Sequence, residues 1–195
     1  LPRRLLYLPP SLLRDALARY PDYTHKQPLK IFVGTYNVNG KKDRYNLDPQ
    51  YGNLSDWLTN IADQRGFKNP NASPEAFERP VDIFAIGFQE IVDLNASNIV
   101  AVRQSSDSQQ FWASVITKVI NRDSRIEEPY VLISTVQLVG LCVFVFIRDS
   151  LCELVRGLSV GSIKTGLHGT AGNKGAVAVR FEVRFYSVVC SLAVK

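Results

Sequence analysis

A chain of 195 residues that is 46% apolar and 21% charged can bury a core, which excludes a disordered polymer. Its longest apolar run, Leu138 to Ile147, is too short to span a bilayer, and the start of the chain, broken by Pro2, Pro9 and Pro10, does not read as a secretory leader. The net charge of +5 is uneven: residues 1–30 hold six Lys/Arg against two Asp, and residues 140–195 hold seven against three acidic residues.

Basic ends suit an anionic partner, whether a phosphorylated small molecule, an anionic membrane or nucleic acid. They suit an ordinary solvated surface equally well. No Met occurs, so the chain reads as an excerpt of a longer or processed protein. The three Cys (Cys142, Cys152, Cys190) are widely spaced, form no C-x-x-C pair and have only His25 and His168 as companions. They read as reduced structural thiols of a cytosolic protein rather than as metal ligands.

Taken in order, Leu1 to Pro10 reads as a linker or extended arm. Ser11 can cap a short helix to about Tyr20, with Leu12, Leu13, Ala16 and Leu17 on one face. After a polar connector, a first strand is expected from about Leu29 to Tyr36, followed by a polar, turn-rich loop from Gly40 to Tyr51. Ser55 can cap a helix to about Gln64, and 65–79 reads as a loop. Val81 to Phe88 is nearly all apolar, as a strand covered on both faces would be. Ser108 to Asn121 carries Phe111, Trp112, Val115, Ile116 and Val119 at helical spacing. Tyr130 to Val136 and Leu138 to Arg148 predict an antiparallel hairpin turning through Gln137. A strand near 154–164, a Gly-rich loop from Thr165 to Lys174, an alternating strand from Gly175 to Phe185 and a last strand from Tyr186 to Ala193 complete a layered α+β fold with a mixed sheet.

Two strands end in hard oxygen ligands. Ile31-Phe32-Val33 runs into Thr35-Tyr36-Asn37-Val38-Asn39-Gly40, and Asp82 to Phe88 runs into Gln89-Glu90. Ligands tend to bind at such strand ends. A carboxylate at Glu90 can hold one Mg²⁺, with waters and substrate phosphate in the remaining positions. It can equally pair with an Arg or Lys at a sheet edge. Asn37 and Asn39 can orient Glu90 or a metal-bound water, or simply form a turn. In the stretch from Thr165 to Gly175, four Gly and Lys174 can bring backbone N–H groups and a charge to an anion. The P-loop spacing is absent, so a plain hairpin connection is the alternative. His168 has no sequence partner that marks it as a general base.

Together, Thr35-Tyr36-Asn37-Val38-Asn39-Gly40, Asp82-Ile83-Phe84-Ala85-Ile86-Gly87-Phe88-Gln89-Glu90 and Gly172-Asn173-Lys174-Gly175-Ala176-Val177 resemble the N-terminal half of the inositol polyphosphate 5-phosphatase catalytic domain. Glu90 to Ala96 and Gln137-Leu138-Val139-Gly140 resemble its synaptojanin-like branch. The resemblance runs from about Lys30 to Ser191 and implies an α/β, DNase I-like four-layer sandwich with mixed β-sheets. By that resemblance residues 1–28 are linker and short helix, and 29–195 are the N-terminal half of the catalytic domain, incomplete at the C-terminus.

The resemblance also implies Mg²⁺-dependent hydrolysis of the 5-phosphate of phosphoinositides such as phosphatidylinositol 4,5-bisphosphate. Asn37 and Glu90 would be catalytic residues and metal ligands, and Asn39, His168, Asn173 and Lys174 would bind substrate. The implied partners are a phosphoinositide head group and an anionic membrane surface, with no nucleic acid, at a cytoplasmic, membrane-peripheral location. The strand after Cys190-Ser191 lacks the expected His, and the later Trp-x-Gly-Asp-x-Asn, Pro-x-Trp-x-Asp-Arg and Ser-Asp-His motifs do not occur. They would supply the water-activating Asp and the catalytic His, so the chain alone is expected to be inactive. The alternatives are a non-catalytic phosphoinositide-binding fragment and a nuclease of the same fold.

Overall fold

The structure is a computed structural model that describes residues 7, 9–19, 22, 28–40, 54, 57, 58, 80–92, 103–122, 128–166, 171–184 and 186–194. Its elements are α1 (Pro10–Ala18), β1 (Ile31–Asn37), β2 (Ile83–Gln89), α2 (Arg103–Ile120), β3 (Tyr130–Leu138), β4 (Leu141–Arg148), α3 (Asp149–Cys152), β5 (Val155–Gly166), β6 (Ala171–Val183) and β7 (Tyr186–Val194). The helix expected from Ser55 lies almost entirely outside the described residues.

One sheet has the order β1-β2-β4-β3, the other β5-β6-β7. β1 and β2 run parallel, and every other pairing is antiparallel. The mixed sheet therefore carries both candidate strand ends at one edge, because parallel neighbours finish on the same side.

The apolar run of β2 serves two cores. Side chains alternate across a strand, so Phe84, Ile86 and Phe88 point one way and Ile83 the other. Register with β4 doubles each set: Phe84 faces Phe146, Ile86 faces Phe144 and Phe88 faces Cys142, while Ile83 faces Ile147. The first set packs against Trp112, Val115, Ile116, Val119 and Ile120 of α2. The second set, with Val143 and Val145, packs against Val177, Val179, Phe181 and Val183 of β6. Each fully buried side chain of this size contributes about 1.5–3 kcal/mol. The order of layers is thus helix, four-stranded sheet, three-stranded sheet.

β6 shows the expected alternation, with Val177, Val179 and Phe181 buried and Ala176, Ala178 and Arg180 on the other face. Among the described residues no helix covers that outer face, where Ile163 and Val189 are exposed. An apolar cleft lined by Val33, Ala85, Val143, Val189 and Leu192 opens between the sheets on the β1 and β7 side.

Three expectations need correction. The β3–β4 hairpin turns through Val139 and Gly140 rather than Gln137, which pairs with Cys142 inside the ladder. The Gly-rich segment is mostly strand: β5 extends to Gly166 and β6 begins at Ala171, with Gly166 facing Ala171 and Lys164 facing Gly175. Ladder pairing overrides a loop-like composition there. Helix α2 also begins at Arg103 rather than Ser108. At its end the Asn121 amide donates to the Tyr130 carbonyl at 3.1 Å and accepts the Tyr130 N–H at 2.8 Å, joining helix to sheet.

Candidate active site at the sheet edge

The last register pair of β1 and β2 is Asn37 with Gln89. Pairing continues past the strands: the Val38 N–H donates to the Gln89 carbonyl at 3.0 Å and the Gly40 N–H to the Glu90 carbonyl at 2.6 Å. Gln89 also donates its side-chain amide to the Thr35 hydroxyl. Asn37, Asn39 and Glu90 are therefore brought together at adjacent strand ends of one sheet edge.

Each polar tip is anchored by buried neighbours. Val38 follows Asn37, and Phe88 and Ile91 flank Gln89-Glu90, all three within 3% of full burial. Below them the rings of Tyr36, Trp57, Phe88 and Trp112 form a chain of contacts, Tyr36–Trp57 tilted with centroids 5.7 Å apart and Phe88–Trp112 edge-on at 5.0 Å. A rigid aromatic floor thus supports an exposed polar rim.

The backbone at this edge is unusual. Asn39, Glu90 and Val139 adopt φ of 53°, 53° and 50°. This left-handed region suits Asn but costs about 1–2 kcal/mol at other non-Gly residues. For the Asn pair, turn chemistry is observed: the Asn39 N–H donates to Asn37 Oδ1 at 2.9 Å. That leaves Oδ1 of Asn37 its second lone pair for another donor or a cation. Glu90 makes no ion pair among the described residues. The strand-edge salt bridge read as its alternative role is therefore not seen among them.

Lys174 belongs to the other sheet but to the same end of the sandwich. Its neighbour Gly175 lies so close to β5 and β3 that a Cβ would sit 2.2 Å from the Ile163 carbonyl oxygen and 2.7 Å from Leu138 Cδ2. Leu138 ends the strand before the Val139–Gly140 turn, and the Gly140 carbonyl accepts the Ile91 N–H at 3.1 Å, one residue beyond Glu90. Gly175 is required for this close approach of the strands. Lys174 is exposed. His168 lies outside the described residues, and Asn173 is described only as a backbone position in β6.

Among the described residues no group of three or more His, Cys, Asp or Glu could hold a metal ion. The donors at this edge, the carboxylate of Glu90 and the amide oxygen of Asn37, are of the kind that Mg²⁺ takes, since it keeps most of its waters and binds one or two protein carboxylates. Thr35, Gln137 and the Val139–Gly140 turn support this edge and were not singled out as site residues. The signal for Gln137 and the turn was the Gln-Leu-Val-Gly sequence itself, and that for Thr35 its place at the head of the Thr35-to-Gly40 stretch.

Residues 34–194 match the model of the endonuclease/exonuclease/phosphatase family 2, and the chain belongs to that family. Within it the chain is related to the inositol polyphosphate 5-phosphatase catalytic domain of synaptojanin. It is 38% identical over 183 residues to human synaptojanin-1, which covers 93% of this chain and 11% of the relative. It is 29% identical over 188 residues to inositol-1,4,5-trisphosphate 5-phosphatase 1 of Schizosaccharomyces pombe, covering 92% of this chain and 15% of that protein. The crystal structure of the inositol polyphosphate 5-phosphatase domain of SPsynaptojanin, in complex with inositol (1,4)-bisphosphate and calcium ion, superposes with a TM-score of 0.64 at 26% identity. That match covers 93% of this chain and 45% of the other, so the chain spans under half of the solved domain and about a tenth of human synaptojanin-1. No described helix is long and apolar enough to cross a membrane.

Proposed function

We propose that this chain is part of an Mg²⁺-dependent phosphatase that removes the 5-phosphate of phosphoinositides such as phosphatidylinositol 4,5-bisphosphate. The observation that carries this reading is the pairing of Asn37 with Gln89, which sets Glu90 beside the Asn37–Gly40 turn at one sheet edge. Glu90 and Asn37 would hold the Mg²⁺ ion, which when bound neutralises charge on a phosphate oxygen. Asn39 and the exposed Lys174, with His168 and Asn173 of the same segment, would contact the phosphorylated ring. A lysine there acts as a point charge for phosphate.

The protein acts in the cytoplasm at the surface of anionic membranes, where its lipid substrate resides. On its own the 195-residue chain binds without turnover, because the family motifs that supply a base do not occur in its sequence. In the test, the purified chain is given a short-chain phosphatidylinositol 4,5-bisphosphate with and without Mg²⁺, and both binding and phosphate release are followed. Expected are Mg²⁺-dependent binding, its loss in Glu90→Gln, and no phosphate release. Binding indifferent to Glu90→Gln, or preference for abasic DNA over the lipid, would overturn the reading.

A further inference from the structure

We propose that Gln137 is a positioning residue for Glu90, acting through the Val139–Gly140 turn; this rests on the reading of Glu90 as a cation ligand. Three successive strand ends at one edge of the four-stranded sheet carry left-handed residues, Asn39, Glu90 and Val139. Strain of this kind persists only where surrounding contacts over-determine it, and it concentrates at functional sites. For Glu90 the contacts are explicit. Its own carbonyl is held by the Gly40 N–H at 2.6 Å, and the next N–H, of Ile91, is held by the Gly140 carbonyl at 3.1 Å. The peptide group between Glu90 and Ile91, which sets ψ of Glu90, is thereby clamped from opposite sides, and the preceding peptide, which sets φ, is held through its Gln89 carbonyl by the Val38 N–H at 3.0 Å.

The Gly140 carbonyl is aimed by the turn, and the turn is fixed by one side chain. Gln137 donates its amide N–H to the Val139 carbonyl at 2.6 Å, across two residues. Its Oε1 is buried and accepts no hydrogen bond among the described residues. A buried acceptor left unsatisfied opposes folding and offsets what the bond to the Val139 carbonyl contributes, so an apolar residue of the same length should change stability little there. The visible effect of the amide is the geometry of Val139–Gly140, which reaches Glu90 through a single hydrogen bond. Outer groups that orient a metal ligand typically change metal affinity by about 10- to 100-fold when removed.

The test uses Gln137→Met and Glu90→Gln in the 195-residue chain. Three quantities are read: the unfolding midpoint, amide exchange at Ile91, and binding of Tb³⁺ alone through emission sensitised by Tyr36 and Trp57. Expected for Gln137→Met are an unchanged or raised midpoint, faster Ile91 exchange and Tb³⁺ affinity about tenfold weaker. If Glu90→Gln weakens Tb³⁺ binding and Gln137→Met leaves binding and exchange as in the wild type, the function reading stands and the positioning role fails. If Ile91 exchange quickens while both variants bind Tb³⁺ like the wild type, or the wild type binds none, Glu90 is no ligand and the proposal falls with that reading. A midpoint that drops in proportion to the other two changes marks Gln137 as merely structural and overturns the proposal.

Discussion

The carboxylate of Asp82 and the guanidinium of Arg148 form an ion pair at the end of the four-stranded sheet opposite the candidate site. Asp82 is only 1% exposed, and its second oxygen accepts the Lys30 N–H at 2.6 Å. Its backbone extends the link, with the Asp82 N–H donating to the Lys30 carbonyl at 2.7 Å and the Arg148 N–H to the Asp82 carbonyl at 3.1 Å. One aspartate thus ties together the entries of β1 and β2 and the exit of β4. Removing one partner of such a pair leaves a buried charge uncompensated, whereas removing both does not. Arg148→Met should cost about 3–5 kcal/mol in urea denaturation, and Asp82→Asn combined with Arg148→Met should recover much of that loss.

Arg148 also reaches Glu128 at 2.7 Å, and Ser150 donates both its N–H and its hydroxyl to the same carboxylate at 3.0 and 2.9 Å. Burial pushes the Glu128 carboxyl up, but the Ser150 hydrogen bonds and the Arg148 charge outweigh it and hold the group below its ordinary 4.5. A carboxylate whose folded value is depressed contributes stability above its unfolded value and loses it as pH falls through the folded one. The wild type should therefore lose its advantage over Glu128→Gln as pH drops below about 4.5, and not between neutrality and that point. Urea midpoints of the two proteins against pH read this directly.

Glu90 at φ 53° predicts an inverted mutational sign. Glycine enters the left-handed region without the Cβ penalty, so Glu90→Gly should stabilise the fold by about 0.5–1 kcal/mol while abolishing cation binding. Thermal denaturation beside a Tb³⁺ titration checks both halves. Destabilisation by the substitution would show that the backbone there is not strained.

Gly175 has the opposite behaviour. The Ile163 carbonyl that a Cβ would meet at 2.2 Å is backbone and has no rotamer to yield. Gly175→Ala should cost about 1–3 kcal/mol or more by forcing β5 and β6 apart. Amide exchange should quicken at Lys164 and Gly175 before it does at Phe181.

Cys142 is a buried thiol whose proton is held tightly: burial pushes it up to about 12, with Thr135 and Gln109 hydrogen bonds pulling weakly the other way. Alkylation requires the thiolate and access to it. Iodoacetamide at mildly alkaline pH should leave Cys142 unmodified until urea unfolds the chain, with labelling read by mass spectrometry.

Much of the fold was legible because burial pattern and strand period agree. From Ile83 to Phe88 both faces carry only apolar residues or glycine, and this run became the doubly covered β2. The alternation in β6 and the Trp112–Val119 stripe likewise follow from one-sided burial. The hairpin turn was misplaced because Gln137 looks like a turn residue, yet it pairs in the ladder and its amide is spent on the turn two residues later. The Gly-rich stretch looked like a loop because composition does not reveal that Lys164 pairs with Gly175. At the candidate site, Asn37 and Asn39 announced their turn. The left-handed conformation of Glu90 was invisible, since glutamate carries no local preference for it and the hydrogen bonds that impose it come from Gly40 and Gly140, about 50 residues away on either side.

The cleft lined by Val33, Val143, Val189 and Leu192 has a practical consequence for anyone handling the molecule. Among the described residues β1 and β7 each have a hydrogen-bonded neighbour on one side only, and Val33 is 77% and Val189 63% exposed. Bare strand flanks of this kind template the joining of further strands. Crowding such chains in a concentrator invites stacked aggregates, so dilute buffers and a highly soluble fusion partner suit this protein better than high-density preparations.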